Sequence, residues 1–223
     1  MHFTFAEVEG ALAATYDIAD DKRQAFRARL QHLQKLRFPE GLNTGRGRAA
    51  KYRAAHLYLL AVAIELLQIG LSPERAKTVI EEYLHSVAMA ASLATNGMPM
   101  DVRRFESPAF LYCDPAALRD LTTIYQGEDW ASQTFFYAGL GQLMGQFREW
   151  FTEGVQRMAF FSVSALIFDL AQNTLPKTGD QQKFLSEIDA WADPFIHNVD
   201  YTLEDSDQPY WITLSGSAGD GGS

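Results

Sequence analysis

The sequence predicts a mainly helical N-terminal domain joined to an α+β C-terminal domain, and three observations carry that reading. Apolar residues recur at helical spacing, between recognisable caps and stops, from residue 4 to about residue 91. The stretch "ATNGMPMD" (94–101), with Asn-Gly and a proline, reads as a linker. Composition then shifts: all four tryptophans and 20 of the 28 aromatic residues lie between Phe105 and Trp211. The expected division is therefore a domain at 1–93, a linker at 94–101, an aromatic-rich acidic domain at 102–213 and a disordered tail at 214–223. A chain of 223 residues, 47% hydrophobic, carries enough apolar material for it.

Residues 4–16 form the first expected helix. Thr4 can cap it, Glu7 three residues on completes a capping box, and Phe5, Val8 and Leu12 share one stripe. "DIADD" (17–21) is a turn in which Asp20 or Asp21 can cap the next helix, about 21–37. There Phe26, Leu30 and Leu33 share one face, with Leu36 at its edge, and Arg23, Gln24, Arg27, Gln31, Gln34 and Lys35 cluster opposite. From residue 22 to residue 38 no acid occurs, whereas a helix made merely soluble by charge mixes signs.

Pro39 and Gly41 end that helix. "GLNTGRGRAAKYR" (41–53) follows, with three glycines, four cations and no acid. Its Gly45-Arg46-Gly47-Arg48-Ala49-Ala50 fits G-x-G-x-x-A, but no strand precedes the glycines, so a dinucleotide-binding turn is rejected; the Gly-Lys-Ser/Thr ending of a phosphate-binding loop is missing too. Residues 54–69 read as a buried helix with Leu57, Leu60, Ile64 and Leu67 in its stripe and Gly70 as its stop. Ser72-Pro73-Glu74 starts another, running to about Ala91 through Ala76, Val79, Ile80, Tyr83 and Val87.

In the second half "AFLYC" reads as a strand, "DPAALRDLTTIY" as a helix and "QTFFYAGL" as a strand. "MGQFREWFTEGVQR" fits either type. "MAFFSVS" reads as a strand passing through Ser162 or Ser164 into a helix, "ALIFDLAQNTL", and residues 180–198 as a further helix.

Net charge, −9, averages two unlike halves: residues 1–90 carry +2 and residues 91–223 carry −11. Within residues 22–53 stand ten cations against Glu40 alone, a net of +9. A cationic island in an acidic protein marks where a polyanion docks. Arginine suits guanine edges in a major groove and glutamine suits adenine edges, which makes Arg23, Gln24, Arg27, Gln31 and Gln34 the candidate base readers.

Other chemistry finds no support. The five histidines are scattered, Cys113 is the one cysteine, and neither H-E-x-x-H nor C-x-x-C occurs, so no metal site, cofactor or catalytic residue is expected. No Gly-x-Ser-x-Gly supplies a nucleophile elbow. His56 and His85 read as packed or surface residues, Cys113 as a small buried hydrophobe, and the acids Glu128-Asp129 and Glu204-Asp205-Asp207 as solvated surface. No secretory signal is evident, and the most apolar stretch, Leu57–Leu71, is too short for a membrane span and holds Glu65, so a cytoplasmic protein is expected.

The order of elements in the first ninety residues resembles the winged helix-turn-helix of the MerR family. There a wing ends in an Arg-x-Tyr-like stretch, a helix follows, and a Gly-Phe/Leu-Ser turn enters the next helix; "GRGRAAKY" and "HLYLLAVAIELLQIGLSPERAKTVIEEY" stand in those places. The resemblance covers about 40% of the chain. It implies that helix 21–37 enters the major groove and that Arg46, Arg48, Lys51, Tyr52 and Arg53 contact phosphates, with Lys22 and Lys35 as flanking phosphate contacts. Three departures stand beside it: a longer, more acidic first turn, no Tyr-Tyr pair after the recognition helix, and no long coiled coil after residue 91. The family's dimer geometry and any effector or metal site therefore do not transfer.

The expected function is a sequence-specific transcriptional regulator of double-stranded DNA, a homodimer because such sites are usually read by symmetric dimers. Its aromatic-rich C-terminal domain would serve oligomerisation, a protein partner or a small-molecule pocket. The alternative is an adaptor whose basic helix binds an acidic protein and no DNA.

Overall fold

Thr4 opens the first helix as its sequence requires. Its backbone N–H donates to Glu7 Oε2 (2.7 Å), while its hydroxyl oxygen accepts from the Glu7 N–H (3.3 Å), closing a capping box. The computed structural model describes residues 1–42, 50–96, 98–100, 105–113, 135–152 and 157–197. Helix α1 is Phe5–Thr15, burying Val8 and Leu12 as its stripe predicts.

The cationic helix, α2, is Arg23–Lys35, shorter than the expected 21–37. A 3-10 turn, Asp20–Lys22, leads into it without a side-chain cap, so neither Asp20 nor Asp21 caps it. Its end is set by burial. Arg37 takes a left-handed φ of 61°, its N–H donates to the Gln34 carbonyl (2.9 Å), and the Phe38 N–H turns back to the Leu33 carbonyl (3.0 Å), which places Phe38 in the core.

Helix α3, Ala54–Gln68, is the centre of the protein: every residue from Leu57 to Ile64 is buried, so its apolar surface continues right round instead of forming a single stripe. Gly70, at φ 101°, terminates it as a C′ glycine, with the Leu71 N–H bonded to the Leu66 carbonyl (3.1 Å). Ser72 then accepts from the Arg75 N–H (3.2 Å) and caps α4, Pro73–Glu82. The single helix expected to run to Ala91 is broken at Tyr83 (φ −108°, ψ 31°), and α5, Leu84–Thr95, follows it.

The second half builds a small antiparallel sheet from β1 (Ala109–Cys113), β2 (Phe135–Gly139) and β3 (Ala159–Ser162), in the order β2-β1-β3. The stretch that fitted either type is helix α6, Leu140–Thr152. Ser162, not Ser164, caps α7 (Val163–Thr174) by accepting from the Ala165 N–H (3.2 Å); Ser164 instead accepts from the Ala109 N–H of β1 (3.0 Å). Helix α8 is Thr178–His197. Strand alternation sorts the aromatics onto two faces. Leu111, Cys113, Phe135 and Phe161 join the helical core, while Phe110, Tyr112, Phe136 and Phe160 turn toward α6.

The two halves share that helical core. Buried side chains form one cluster from Phe3 to Ala192; α5 runs along α8, and α1 packs on α7. The Phe3 and Phe184 rings meet edge-on at 6.3 Å, and those of Tyr58 and Trp191 at 6.0 Å. Met98 and Met100, in the stretch expected as a linker, are buried, and Gln172 Nε2 donates to the Met100 carbonyl (2.8 Å). Met98 and Met100 thus belong to the core that residues of both halves share. The fold is mainly helical with a three-stranded antiparallel sheet. The helix expected in "DPAALRDLTTIY" and the tail 214–223 lie outside the described residues.

Candidate nucleic-acid interface

Phe26, Leu30 and Leu33 hold α2 against the core, and this fixes which side chains face solvent. Gln24, Arg27, Gln31 and Lys35 are exposed along the opposite side, together with Arg29 on an adjoining face. No acid interrupts the helix, but carboxylates from other elements stand at its edges. Glu9 of α1 meets Arg23 (Nε–Oε1 3.2 Å), and Glu74 of α4 meets His32 (Nε2–Oε1 2.8 Å). The His32 contact comes first among the causes that hold the Glu74 carboxyl below its ordinary pKa. Lys22, at the entry, pairs in the open with Asp21 (2.8 Å). Arg27 stays exposed with its guanidinium 5.5 Å above the Phe5 ring, a cation–π contact that orients it.

The five expected base readers therefore divide. Gln24, Arg27 and Gln31 lie on the exposed strip; Arg23 is drawn to Glu9; Gln34 is half-buried and donates from Nε2 to the Tyr52 hydroxyl. Tyr52, expected on phosphates, is a core residue. Its ring is fully buried, its backbone N–H and C=O both pair with Phe3 (2.9 Å each), and burial pushes its hydroxyl pKa up. The period of a strand-like stretch explains this: with Tyr52 inward, its neighbours Lys51 and Arg53 point outward, and both are exposed. The contact of Gln34 with Tyr52 brings the segment that carries the exposed Lys51 and Arg53 to the end of α2, where Lys35 is also exposed. Arg46 and Arg48 lie outside the described residues.

Behind this corner the Arg53 N–H donates to His56 Nδ1 (3.1 Å), in the first turn of α3. Burial foremost, then the Arg53 and His2 charges, lower the His56 pKa and favour the neutral ring that this bond needs. Two groups were missed in the sequence. Arg29 adds an exposed cation that its position beside the apolar face concealed. Glu9 is a counter-charge whose approach to Arg23 depends on how α1 packs on α2, and no local signal shows it.

Among the described residues no group of three or more histidine, cysteine, aspartate or glutamate side chains could hold a metal ion, and no helix is long and apolar enough to cross a membrane. No family model matches the chain, and neither a characterised protein nor a solved structure is significantly similar to it.

Proposed function

We propose that the protein binds double-stranded DNA and regulates transcription, with α2 lying in the major groove in the manner of a winged helix-turn-helix. The observation that carries this is the exposed strip of Gln24, Arg27, Gln31 and Lys35, uninterrupted by acid, on a protein whose net charge is −9. Arg27 and the two glutamines are chemically matched to base edges, whereas Lys35, Lys51 and Arg53 at the end of the strip suit phosphates. The wing would be residues 41–53, whose Tyr52 meets Gln34 of α2.

Fluorescence anisotropy of the full chain with random and genomic duplexes, across a salt series, tests the reading. The full chain is the proper sample because residues 1–96 share their core with α7 and α8. The expected result is a linear fall of log K with log salt, at a slope of about −0.9 per phosphate engaged, that becomes shallower by about one phosphate in Lys35→Ala. Absence of binding at low salt overturns it. A salt-sensitive complex with an acidic protein would then favour the adaptor.

A further inference from the structure

The face of α6 turned away from the sheet carries a second surface. Leu143, Phe147 and Trp150 pack toward Tyr112 and its neighbours, but Leu140, Met144 and Phe151 remain 48, 59 and 55% exposed. Beside them Phe160 of β3 is 51% exposed, with its ring 5.3 Å from that of Phe147. Phe147 in turn meets Phe151 at 6.3 Å, so these side chains form one continuous patch.

From this patch we infer that α6 is the contact between two copies of this chain, paired about a two-fold axis. Spacing is the first argument. Leu140, Met144, Phe147 and Phe151 follow one another at intervals of four, three and four residues, the seam by which one helix meets another. Shape is the second. Gly141, three residues before Met144 and beside it on the helix surface, is exposed and has open space where a Cβ would stand. The same helix thus offers both projecting side chains and, at Gly141, a hollow to receive one, as a self-complementary two-fold contact demands.

Area is the third argument. Four large apolar side chains, each half exposed, present roughly 300–500 Å² if such residues span about 150–250 Å². One side of a standard interface buries about 800 Å², a little over half of it apolar, which is an apolar requirement of about 450 Å². Charge agrees: the helix's one carboxylate, Glu149, lies round the opposite side from Met144, so no acid is trapped in the contact.

The inference does not depend on DNA binding. Where both hold, the dimer presents two α2 strips to a symmetric site.

Sedimentation velocity of the full chain without DNA, from about 1 to about 100 µM, tests it. A monomer–dimer equilibrium is expected that tightens as salt rises, because salt screens the repulsion between two acidic copies; DNA binding has the opposite salt dependence. Met144→Glu should weaken the dimer at least tenfold by placing a charge in the seam. Phe151→Lys should do the same, and it keeps the monomer folded because the replaced side chain is half exposed. A bismaleimide reagent should join two chains of Met144→Cys. A monomer at every concentration, a dimer unmoved by both substitutions, or cross-links only within one chain overturns the inference. A monomer that binds DNA would leave the preceding reading intact, and a dimer that does not bind DNA would sink that reading alone.

Discussion

Gln34 on α2 donates a hydrogen bond from Nε2 to the hydroxyl of Tyr52, a residue whose ring is buried and whose backbone is paired with Phe3. One side chain thereby ties the end of the cationic helix to the start of the chain and to the segment between Lys51 and Arg53.

Removing that tie should cost stability and displace the corner. Tyr52→Phe deletes the hydroxyl but keeps the ring, so it should destabilise by about 1 kcal/mol. That corresponds to a fall in Tm of about 2–4 °C for a domain of this size. Gln34→Ala should lose a similar amount, and the double variant little more, since both remove the same bond. Urea unfolding of the four proteins completes the cycle. Additive losses would mean that the two groups contribute independently.

Glu9 is the charge that competes with DNA for Arg23. The pair is partly exposed, so its own contribution to stability is small. Glu9→Gln should nonetheless tighten DNA binding about two- to fivefold at low salt, by freeing Arg23 and removing a negative charge beside the strip. Anisotropy titrations of both proteins measure it. Unchanged or weaker binding would place DNA away from this edge of α2.

Arg27 and Arg48 should separate two kinds of contact. Arg27→Ala should lower affinity for a preferred duplex by about 1–3 kcal/mol and relax sequence preference. Arg48→Ala should weaken all duplexes alike and make the salt slope shallower by about one phosphate. Equal effects of each substitution on preferred and random duplexes would refute the division.

What could be read from sequence was what neighbours along the chain decide. The Thr4–Glu7 box, the Gly70 stop and the Ser72 cap are satisfied within a few residues, and the three strands are short apolar runs at the expected places. The exposed strip of α2 follows from periodicity alone, since burying Phe26, Leu30 and Leu33 forces Gln24, Arg27 and Gln31 outward. What escaped depends on distant partners. Nothing near Tyr83 announces that the helix breaks there. The composition change after residue 94 suggested two cores because it records where aromatics are, not what they pack against. A phosphate contact for Tyr52 follows only from the family resemblance, and the Phe3 backbone and Gln34 show that it faces inward.

The shared core predicts one cooperative unfolding transition. Phe184 of α8 is fully buried and meets Phe3 edge-on, so Phe184→Ala should destabilise by about 3–5 kcal/mol. All tryptophans lie beyond residue 105, so their fluorescence reports the second half, while far-UV circular dichroism also follows α1–α5. The two signals should move together to lower denaturant in the variant. A variant whose fluorescence transition moves ahead of an unchanged helical one would show that the halves unfold separately.

Acid should loosen the corner beside Arg53 through His56. The folded pKa of this ring lies below its ordinary 6.5, first because it is buried and then because of the Arg53 and His2 charges. The folded protein thus holds the proton less tightly than the unfolded chain does. The stabilising contribution is complete above the unfolded value of about 6.5 and is lost as pH falls below it through the folded value. Protonation also turns Nδ1 from acceptor to donor, which breaks the bond from the Arg53 N–H. His56→Gln keeps an acceptor at the third helical position, as in a capping box, but cannot titrate. The two proteins should match in urea midpoint near pH 8, and the variant should be the more stable near pH 5.5. Glu65, whose carboxyl burial pushes up, gains stability as pH falls, but it is common to both proteins and cancels in the difference. A gap that stays constant with pH would mean that His56 holds its proton equally in both states, and that the Arg53 bond does not depend on its charge.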